Sequence, residues 1–233
     1  MQKLVLYLIA LSLCSCRTIP DDSNPQPATE EVLPIPFVDY LFEIGAKLGC
    51  HFTLEYQDYA VTGRMPRLFE VVSNDLSVAS MPALLAKLGR DVPGYSVTQN
   101  AKNPMVVHII ERRLEEKNDY VLNQRVTLRY SGNLVACVVK DAQGRNIVKG
   151  QGLVTAIGEK LGGIQSGPPS QDGREAFDDC VTRVKVDVKS KPVRDTLTDS
   201  IPLENYKVIL WRAVTTRGDG QTNVLVQFYG PRE

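Results

Sequence analysis

The segment IGAKLGC at residues 44–50 recurs as IGEKLGG at residues 157–163, and this internal repeat constrains the fold more than any other feature of the chain. Both copies end a pattern of apolar residues at helical spacing. The apolar positions are Phe37, Leu41, Ile44 and Leu48 in the first copy, and Val154, Ile157 and Leu161 in the second. Gly49 and Gly162 stand where a helix would end in a left-handed C-cap. The sequence therefore predicts the same helical unit twice.

A second correspondence follows each copy of the repeat. Each copy predicts a strand, a helix with proline in its first turn, and a strand that opens with tyrosine. These features are Leu76–Met81, Pro82 and Tyr95 in the first copy, and Val184–Lys189, Pro192 and Tyr206 in the second. The closing strands are Met105–Glu111 and Asn223–Tyr229, after turn-forming residues at Gln99–Pro104 and Arg217–Thr222. The predicted unit is thus helix, strand, strand, helix, strand, strand.

The second copy carries three additions. A leading strand at Arg125–Tyr130 alternates so that Val126, Leu128 and Tyr130 face inward. Ala136–Val148 is typical of a hairpin turning at residues 141–144, and Gly163–Asp179 is rich in Gly, Pro and Ser and predicts a long loop. The expected fold class is α+β: two tandem small modules, at residues 37–117 and 118–233. We expect each to be a mixed sheet of about three to five strands packed with two helices.

This pattern resembles the short N-terminal domain shared by secretins and TonB-dependent transducers. The matching segments are residues 37–54 and 76–111 in the first copy, and residues 153–164 and 184–229 in the second. The second copy departs from the pattern by its insertion and by Asn205-Tyr206 in place of Gly94-Tyr95. The resemblance implies a small α+β periplasmic module used in protein–protein contact, although similarity of fold alone does not establish function.

The first sixteen residues predict a lipoprotein export signal. Lys3 supplies a positive charge, and the apolar run Leu4–Leu13 has the length of a signal h-region and is too short to cross a bilayer. The run ends in Leu13-Cys14-Ser15-Cys16, which resembles a bacterial lipobox, with Cys14 the weaker candidate because Leu13 is not small. An ordinary cleaved signal peptide or a short anchor are the alternatives.

The resemblance to bacterial lipoproteins implies removal of residues 1–15, a diacylglyceryl group on the Cys16 thiol, and an acyl group such as palmitate on its new amino terminus. Several acyl chains anchor a protein stably where one does not. Arg17 follows, in place of the aspartate that retains many enterobacterial lipoproteins in the inner membrane. The expected location is therefore the outer membrane, facing the periplasm, with the condition that this sorting rule varies between bacterial groups.

Residues 16–36 predict an extended tether. The segment holds five prolines and four acidic residues with little apolar content, so burial cannot offset the entropy lost on folding. Over the whole sequence, 27 Lys and Arg balance 27 Asp and Glu, which gives no reason to expect nucleic acid or an anionic membrane surface as partner. The lipid is then the expected membrane attachment, because no apolar stretch after residue 16 is long enough to span.

Three cysteines remain after the signal and the lipidated thiol: Cys50, Cys137 and Cys180. An odd number in an oxidising compartment allows one disulfide plus a free thiol, or three buried thiols. Their spacing contains no CxxC, which argues against a metal site and favours buried thiols.

The sequence carries no pattern typical of an active site. His51 is expected to point to solvent with Thr53 and Glu55, and His108 to be partly buried with its hydrogen bonds satisfied. No HExxH, GxSxG or GxxxxGK[ST] motif occurs. The remaining candidates are better explained without a catalytic role. We interpret Asp178 and Asp179 as a solvated pair, Cys180 beside Arg183 as a structural thiol, and Trp211 as core or interface packing.

We therefore expect a non-enzymatic, lipid-anchored periplasmic interaction module, for which an accessory role in an envelope secretion or uptake complex is one candidate. Its expected partner is an envelope protein, with no cofactor, metal, nucleic acid or small-molecule substrate. The alternative hypothesis is a periplasmic enzyme or small-ligand binder with a site between the two modules, where Asp178, Asp179 and Arg183 would meet a titratable partner.

Overall fold

The computed structural model describes residues 37–57, 76–140, 142–149, 151–166, 182–218 and 221–230, all within the compact unit Leu33–Glu233. The predicted signal peptide, Cys16 and the tether lie outside these residues. The fold is mixed α+β, as expected, and combines one large mixed sheet with a two-stranded ribbon and a small hairpin. Within the described part of the chain, no helix combines the length and apolar character that crossing a membrane requires.

The first half of the chain contains three described helices and three described strands. Its elements are α1 (Phe37–Leu48), β1 (His51–Gln57), α2 (Met81–Asp91), β2 (Tyr95–Gln99), β3 (Val106–Glu111) and the short α3 (Arg112–Glu115). Ser80 caps α2 by accepting a hydrogen bond from the Ala83 amide, and Pro82 lies in the first turn as predicted. The predicted strand at Leu76–Met81 is wrong, because residues 76–80 form no strand and α2 begins at Met81.

The second half contains the equivalent elements and the predicted additions. They are β4 (Arg125–Asn133), β5 (Cys137–Lys140), β6 (Asn146–Lys149), α4 (Leu153–Leu161), β7 (Ile164–Ser166), β8 (Arg183–Pro192), α5 (Val193–Thr198), β9 (Leu210–Gly218) and β10 (Gln221–Tyr229). Strands β5 and β6 form the predicted hairpin, and β4 pairs with β8 as an antiparallel ribbon. The inward alternation of Val126 and Leu128 is confirmed by their burial.

Two details of the second half correct the sequence analysis. The predicted loop at Gly163–Asp179 begins with strand β7, which pairs with β10; the loop residues 167–181 lie outside the described residues. The predicted strand that opens with Tyr206 starts later, at Leu210, because a single 3-10 turn at Leu203–Asn205 precedes it. Both predicted C-cap glycines have a positive φ, +66° at Gly49 and +71° at Gly162. At Gly162, however, ψ is 178°, so the predicted left-handed helical conformation is wrong there.

The large sheet has the strand order β2-β3-β1-β9-β10-β7, and this order contains the same arrangement twice. In the first block (β2-β3-β1), β2 is antiparallel to β3 and β1 is parallel to it. In the second block (β9-β10-β7), β9 is antiparallel to β10 and β7 is parallel to it. The repeat seen in the sequence therefore corresponds to a repeated topology. Two separate modules are not confirmed, because the blocks share one continuous sheet.

The blocks join through β1 and β9, which run parallel over six residue pairs from Phe52–Leu210 to Gln57–Thr215. Both blocks have the same left-to-right order of equivalent strands, but each strand of the second block runs opposite to its equivalent in the first. That relation is a half-turn about an axis in the plane of the sheet and across the strands, so it also exchanges the two faces. The cores agree: Phe52 packs on α1 and α2 on one face, while Trp211 packs with α4 and α5 on the other.

Candidate functional site: the sheet edges and the buried polar junction

A cluster of buried and half-buried polar side chains lies where the two halves meet, and we call it the polar junction (Thr53, Glu55, Asn100, His108, Asn123 and Arg194). Glu55 on β1 is fully buried. Arg194 at the start of α5 donates from Nε to its Oε1 at 2.5 Å and from Nη2 to its Oε2 at 2.8 Å. Burial lowers the pKa of Arg194, but the hydrogen bonds and charge of Glu55 more than offset this, so the pKa is raised overall.

Asn123 ties this ion pair to the connection between the blocks. Its Oδ1 accepts from Arg194 Nη2 at 2.9 Å. Its Nδ2 donates to three backbone carbonyls of the connection, those of Leu114, Glu115 and Lys117. Asn123 thus gives the guanidinium a further acceptor besides Glu55, as the remaining N–H groups of a largely buried ion pair require.

His108 on β3 is held as a neutral imidazole with a defined tautomer. Asn100 Oδ1 accepts from the amides of Lys102 and Asn103, so the Asn100 Nδ2 group is the one that faces His108 Nε2, at 3.1 Å. Nε2 must then accept, and Nδ1 donates to Thr53 Oγ1 at 2.8 Å. Burial, reinforced by the charge of Arg194 and opposed by that of Asp199, lowers the pKa of His108 to about 4. The predicted satisfied, partly buried histidine is confirmed, with fuller burial than expected.

The predicted solvent exposure of His51, Thr53 and Glu55 is wrong. All three are buried, because β1 is a central strand whose second face is covered by the second half of the chain. His51 Nδ1 accepts a hydrogen bond from the Ile209 amide at 3.1 Å, and burial lowers the pKa of its imidazole. Both histidines therefore serve as structural hydrogen-bonding groups.

A cavity of about 230 Å³ opens beside the connection between the blocks. Its lining includes Lys117, Asp119, Tyr120, Gln124 and Thr215. The hydroxyls of Tyr120 and Thr215 are buried without a hydrogen bond of ordinary geometry, and burial followed by the charge of Glu55 raises the pKa of Tyr120 well above its usual value. The described residues contain no group of three or more His, Cys, Asp or Glu placed to hold a metal ion.

Strand β2 forms one edge of the sheet and presents backbone groups outward. Gly94 O accepts from Arg112 N and Asn100 N donates to Val106 O, so the even-numbered residues of β2 direct their backbone groups to β3. The odd-numbered residues direct theirs away from the sheet. Tyr95 N donates to Val92 O, whereas no strand of the described chain pairs with Val97 or Gln99 on that side. Every residue of β2 is at least partly exposed.

Strand β7 forms the opposite edge. Val224 N donates to Gly163 O at 2.8 Å, so Gly163 and Gln165 face β10 while Ile164 and Ser166 direct their backbone groups outward. The side chain of Ile164 is buried in the core of the second block. Among the described strands, only β10 pairs with β7.

The remaining residues singled out in the sequence do not converge on a site. Cys16, Asp178, Asp179 and Cys180 lie outside the described residues, and Arg183 is exposed on β8. Trp211 is 1% exposed and belongs to the core. Cys50 is a buried free thiol, and burial raises its pKa to about 11, which agrees with the expectation of a structural thiol.

Comparison with known proteins finds no matching family model, no matching curated protein and no matching solved structure. The function must therefore be argued from the site itself. Sequence reasoning missed the Glu55–Arg194 pair and the two sheet edges, at β2 and β7, that pair with no further strand among the described residues. The pair could have been suspected only from a charged residue in the apolar stretch Phe52–Tyr56, because its partner lies 139 residues away.

Proposed function

We propose that this chain is a non-enzymatic, lipid-anchored protein-interaction module of the bacterial envelope. The outer edge of β2, which pairs with no strand in the described part of the chain, carries the proposal. The outward N–H and C=O groups of Val97 and Gln99 offer a row of hydrogen-bonding groups to an extended segment, and strand addition to such an edge is a recurring mode of protein recognition.

The join between β1 and β9 supports this choice of surface. It is a parallel pairing of two strands from different blocks, and it leaves Phe52 and Leu210 fully buried beneath α1 and α2. An edge of this sheet can therefore support stable strand addition when a partner also covers its apolar side chains.

The state of the histidines argues against catalysis as the function of the described region. His51 and His108 each use ring nitrogens for structural hydrogen bonds, and burial lowers the pKa of both. A general acid or base needs a pKa near the working pH and access to a substrate. Neither requirement is met by these two side chains.

The alternative, a small-ligand binder or enzyme with a site between the halves, has the cavity beside Tyr120 as its support. Against it stands the continuous sheet, which joins the halves without a cleft at β1 and β9. A Tyr120→Phe variant would remove the buried hydroxyl that a polar ligand would need. If metabolite extracts raise the melting temperature of the parent chain and not of Tyr120→Phe, the result favours a small-ligand binder over an interaction module.

The lipid anchor is tested by two cysteine variants. Cys16→Ser removes the thiol that the lipid thioether requires, so fatty-acid labelling should be lost and the protein should leave the detergent phase. Cys14→Ser keeps a small residue before Ser15-Cys16 and should retain both. Labelling that persists in Cys16→Ser, or that disappears in Cys14→Ser alone, would contradict the assignment.

The interaction surface is tested by Val97→Pro in native envelopes. Proline at this position removes an outward N–H and leaves the hydrogen bonds between β2 and β3 in place, since edge strands tolerate proline there. Val97→Thr keeps the N–H and serves as the matched control. Crosslinking with mass spectrometry should recover a defined protein on the parent and on Val97→Thr, with at least a tenfold loss on Val97→Pro. Equal recovery on all three chains, or recovery of no protein on any, would overturn the proposal.

A further inference from the structure

We propose that the partner at the β2 edge is a second copy of this chain, which adds its β7 strand there and extends the sheet head to tail. The inference rests on the proposed function and names the occupant of the same edge. It follows from the repeated topology of the two blocks, which leaves open the same two kinds of edge that the chain already joins internally.

The first step is the equivalence of the edges. In the order β2-β3-β1-β9-β10-β7, the first strand of each block is β2 or β9, and we call these the opening strands. The last strand of each block is β1 or β7, and we call these the closing strands. The internal join pairs the closing strand of one block with the opening strand of the next. Among the strands that the structure describes, the two with a neighbour on one side only are β7, a closing strand, and β2, an opening strand.

The second step is direction. β2 is antiparallel to β3, and β1 is parallel to β3, so β2 runs opposite to β1. β9 is parallel to β1, β10 is antiparallel to β9, and β7 is parallel to β10, so β7 also runs opposite to β1. β2 and β7 therefore point the same way. If a second copy is displaced along the sheet and keeps the same orientation, its β2 lies beside β7 of the first copy. The two strands are then parallel, as β1 and β9 are within one chain.

The third step is the alternation of backbone groups. At the internal join Phe52 N donates to Ile209 O at 2.7 Å, and the side chain of Phe52 faces the helices of its own block. Ile164 on β7 is the residue equivalent to Phe52. Its backbone N–H and C=O point away from β10, and its side chain lies in the helix-covered core. On the receiving strand, Trp211 of β9 corresponds to Tyr95 of β2, since each faces the helices of its block and directs its backbone to the open side.

These correspondences fix a register. Leu54 lies opposite Arg212 at the internal join, and the equivalent residues are Ser166 and Ser96. Ser166 of one copy should therefore lie opposite Ser96 of the next, with Val97 N–H donating to Ser166 O. Ser166 N–H would donate to Tyr95 O, a carbonyl that also accepts a long hydrogen bond from Arg112 Nε at 3.4 Å within its own chain and has a second lone pair. Both side chains are small, so they leave room for the two backbones to approach.

The resulting interface is heterologous, because a different edge is used on each copy. Such an interface continues into a chain of copies, or into a ring if the rotation closes, and does not stop at a symmetric dimer. Confinement on a membrane by the proposed lipid would raise the local concentration of copies and favour an edge contact that is weak in dilute solution.

The test places one cysteine on each edge of the full chain in native envelopes. Treatment of the double variant Ser96→Cys with Ser166→Cys by a short bifunctional thiol reagent should give a ladder of dimers, trimers and higher multiples. The parent chain, treated identically, corrects for Cys50, Cys137 and Cys180. Each single variant alone should stay at the parent's background, because the two new thiols of a pair come from different edges.

Co-expression of the two single variants sharpens the result. A Ser96→Cys copy and a Ser166→Cys copy together have one reactive end each, so they should give dimers and no higher multiples. Adding Val97→Pro to the double variant should remove the ladder, and Val97→Thr should keep it, with resistance to protease confirming that both chains are folded.

Three outcomes would overturn the inference. One is a double variant that stays at background, another is a Ser96→Cys chain that crosslinks to itself as efficiently as the mixture, and the third is a ladder that survives Val97→Pro in a folded chain. If the double variant gives no ladder while Ser96→Cys crosslinks to a different envelope protein, the second copy is excluded and the proposed function stands. If the double variant gives no ladder and Ser96→Cys also crosslinks to no other protein, both fail.

Discussion

Arg194 on α5 donates two hydrogen bonds to the carboxylate of Glu55 on β1, and the two residues are separated by 139 positions in the chain. Glu55 is fully buried, and the side chain of Arg194 is 14% exposed. This pair fastens the second half of the chain onto the face of β1 that α1 and α2 leave uncovered. Removing one member of such a pair leaves the other charged and buried, which is the costly case for an ion pair.

Glu55→Gln should therefore lower the free energy of unfolding by about 3–5 kcal/mol, measured by urea denaturation. Arg194→Met should cost a similar amount, whereas the double variant should recover much of the loss because no charge stays buried without a partner. The exposed pair Arg129–Asp187 is the matched control, with side chains 86% and 57% exposed. Arg129→Met should change stability by less than about 1 kcal/mol. Equal costs at the two pairs would contradict this account.

Gly45 and Gly89 offer a matched pair of helical glycines with opposite surroundings. A Cβ on Gly45 would lie 2.8 Å from Cys50 O and 2.9 Å from both Phe52 Cε2 and Val208 Cγ1, whereas a Cβ on Gly89 would meet nothing within 4 Å. Gly45→Ala should destabilise the chain by about 1–3 kcal/mol through overpacking. Gly89→Ala should stabilise it by about 0.5–1 kcal/mol, since alanine favours the helix. Thermal unfolding of both variants would check the signs, and a stabilising Gly45→Ala would refute the close packing at this site.

Cys50 should resist alkylation while the chain is folded. Burial raises the pKa of its thiol from 9.0 to about 11, which lowers the thiolate fraction at pH 8 by about 100-fold, and the side chain has no exposed surface. Mass spectrometry of the Cys50 peptide after iodoacetamide treatment should show labelling at least 100-fold slower in buffer than in urea. A rate in buffer close to that in urea would mean that this part of the core opens readily.

Much of the local structure could be predicted from the sequence because it depends on neighbouring residues. Helical spacing and C-cap glycines located α1 and α4, alternation located β4 and β8, and turn-forming residues located the hairpin of β5 and β6. Each of these signals is contained within one element. The division into helices and strands, and hence the α+β class, follows from them.

The pairing of the blocks could not be predicted in the same way. Whether β1 is an edge or a central strand depends on β9, which lies more than 150 positions later in the chain. The polar alternation of His51, Thr53 and Glu55 resembles a solvent-facing strand, and that face is buried because the second half of the chain, including Arg194, covers it. β7 was missed because its three residues are too few for a period-two pattern.

His108 makes the stability of the fold depend on pH. Its Nε2 accepts from Asn100 Nδ2, so a proton on Nε2 would place two donors against each other. Burial, together with the charge of Arg194, lowers the pKa of His108 from 6.5 in the ordinary state to about 4 in the fold, whereas the unfolded chain keeps the ordinary value. Between these values the unfolded state binds the proton and the folded state does not. The contribution of His108 is therefore complete above pH 6.5 and is lost as pH falls towards 4.

The free energy of unfolding should fall by about 3 kcal/mol between pH 7 and pH 4 through this residue alone, because each pKa unit corresponds to about 1.4 kcal/mol. His51 should add to the decline, since burial lowers its pKa in the same direction. His108→Gln cannot take up a proton, so its urea denaturation should show a shallower loss between the two pH values, although it starts from a lower stability at pH 7. The comparison uses the difference between the two pH values within each chain, which cancels the packing cost of the substitution. If His108→Gln loses as much stability on acidification as the parent chain does, then His108 is not held neutral by its contacts with Thr53 and Asn100, and the acid sensitivity belongs to other groups.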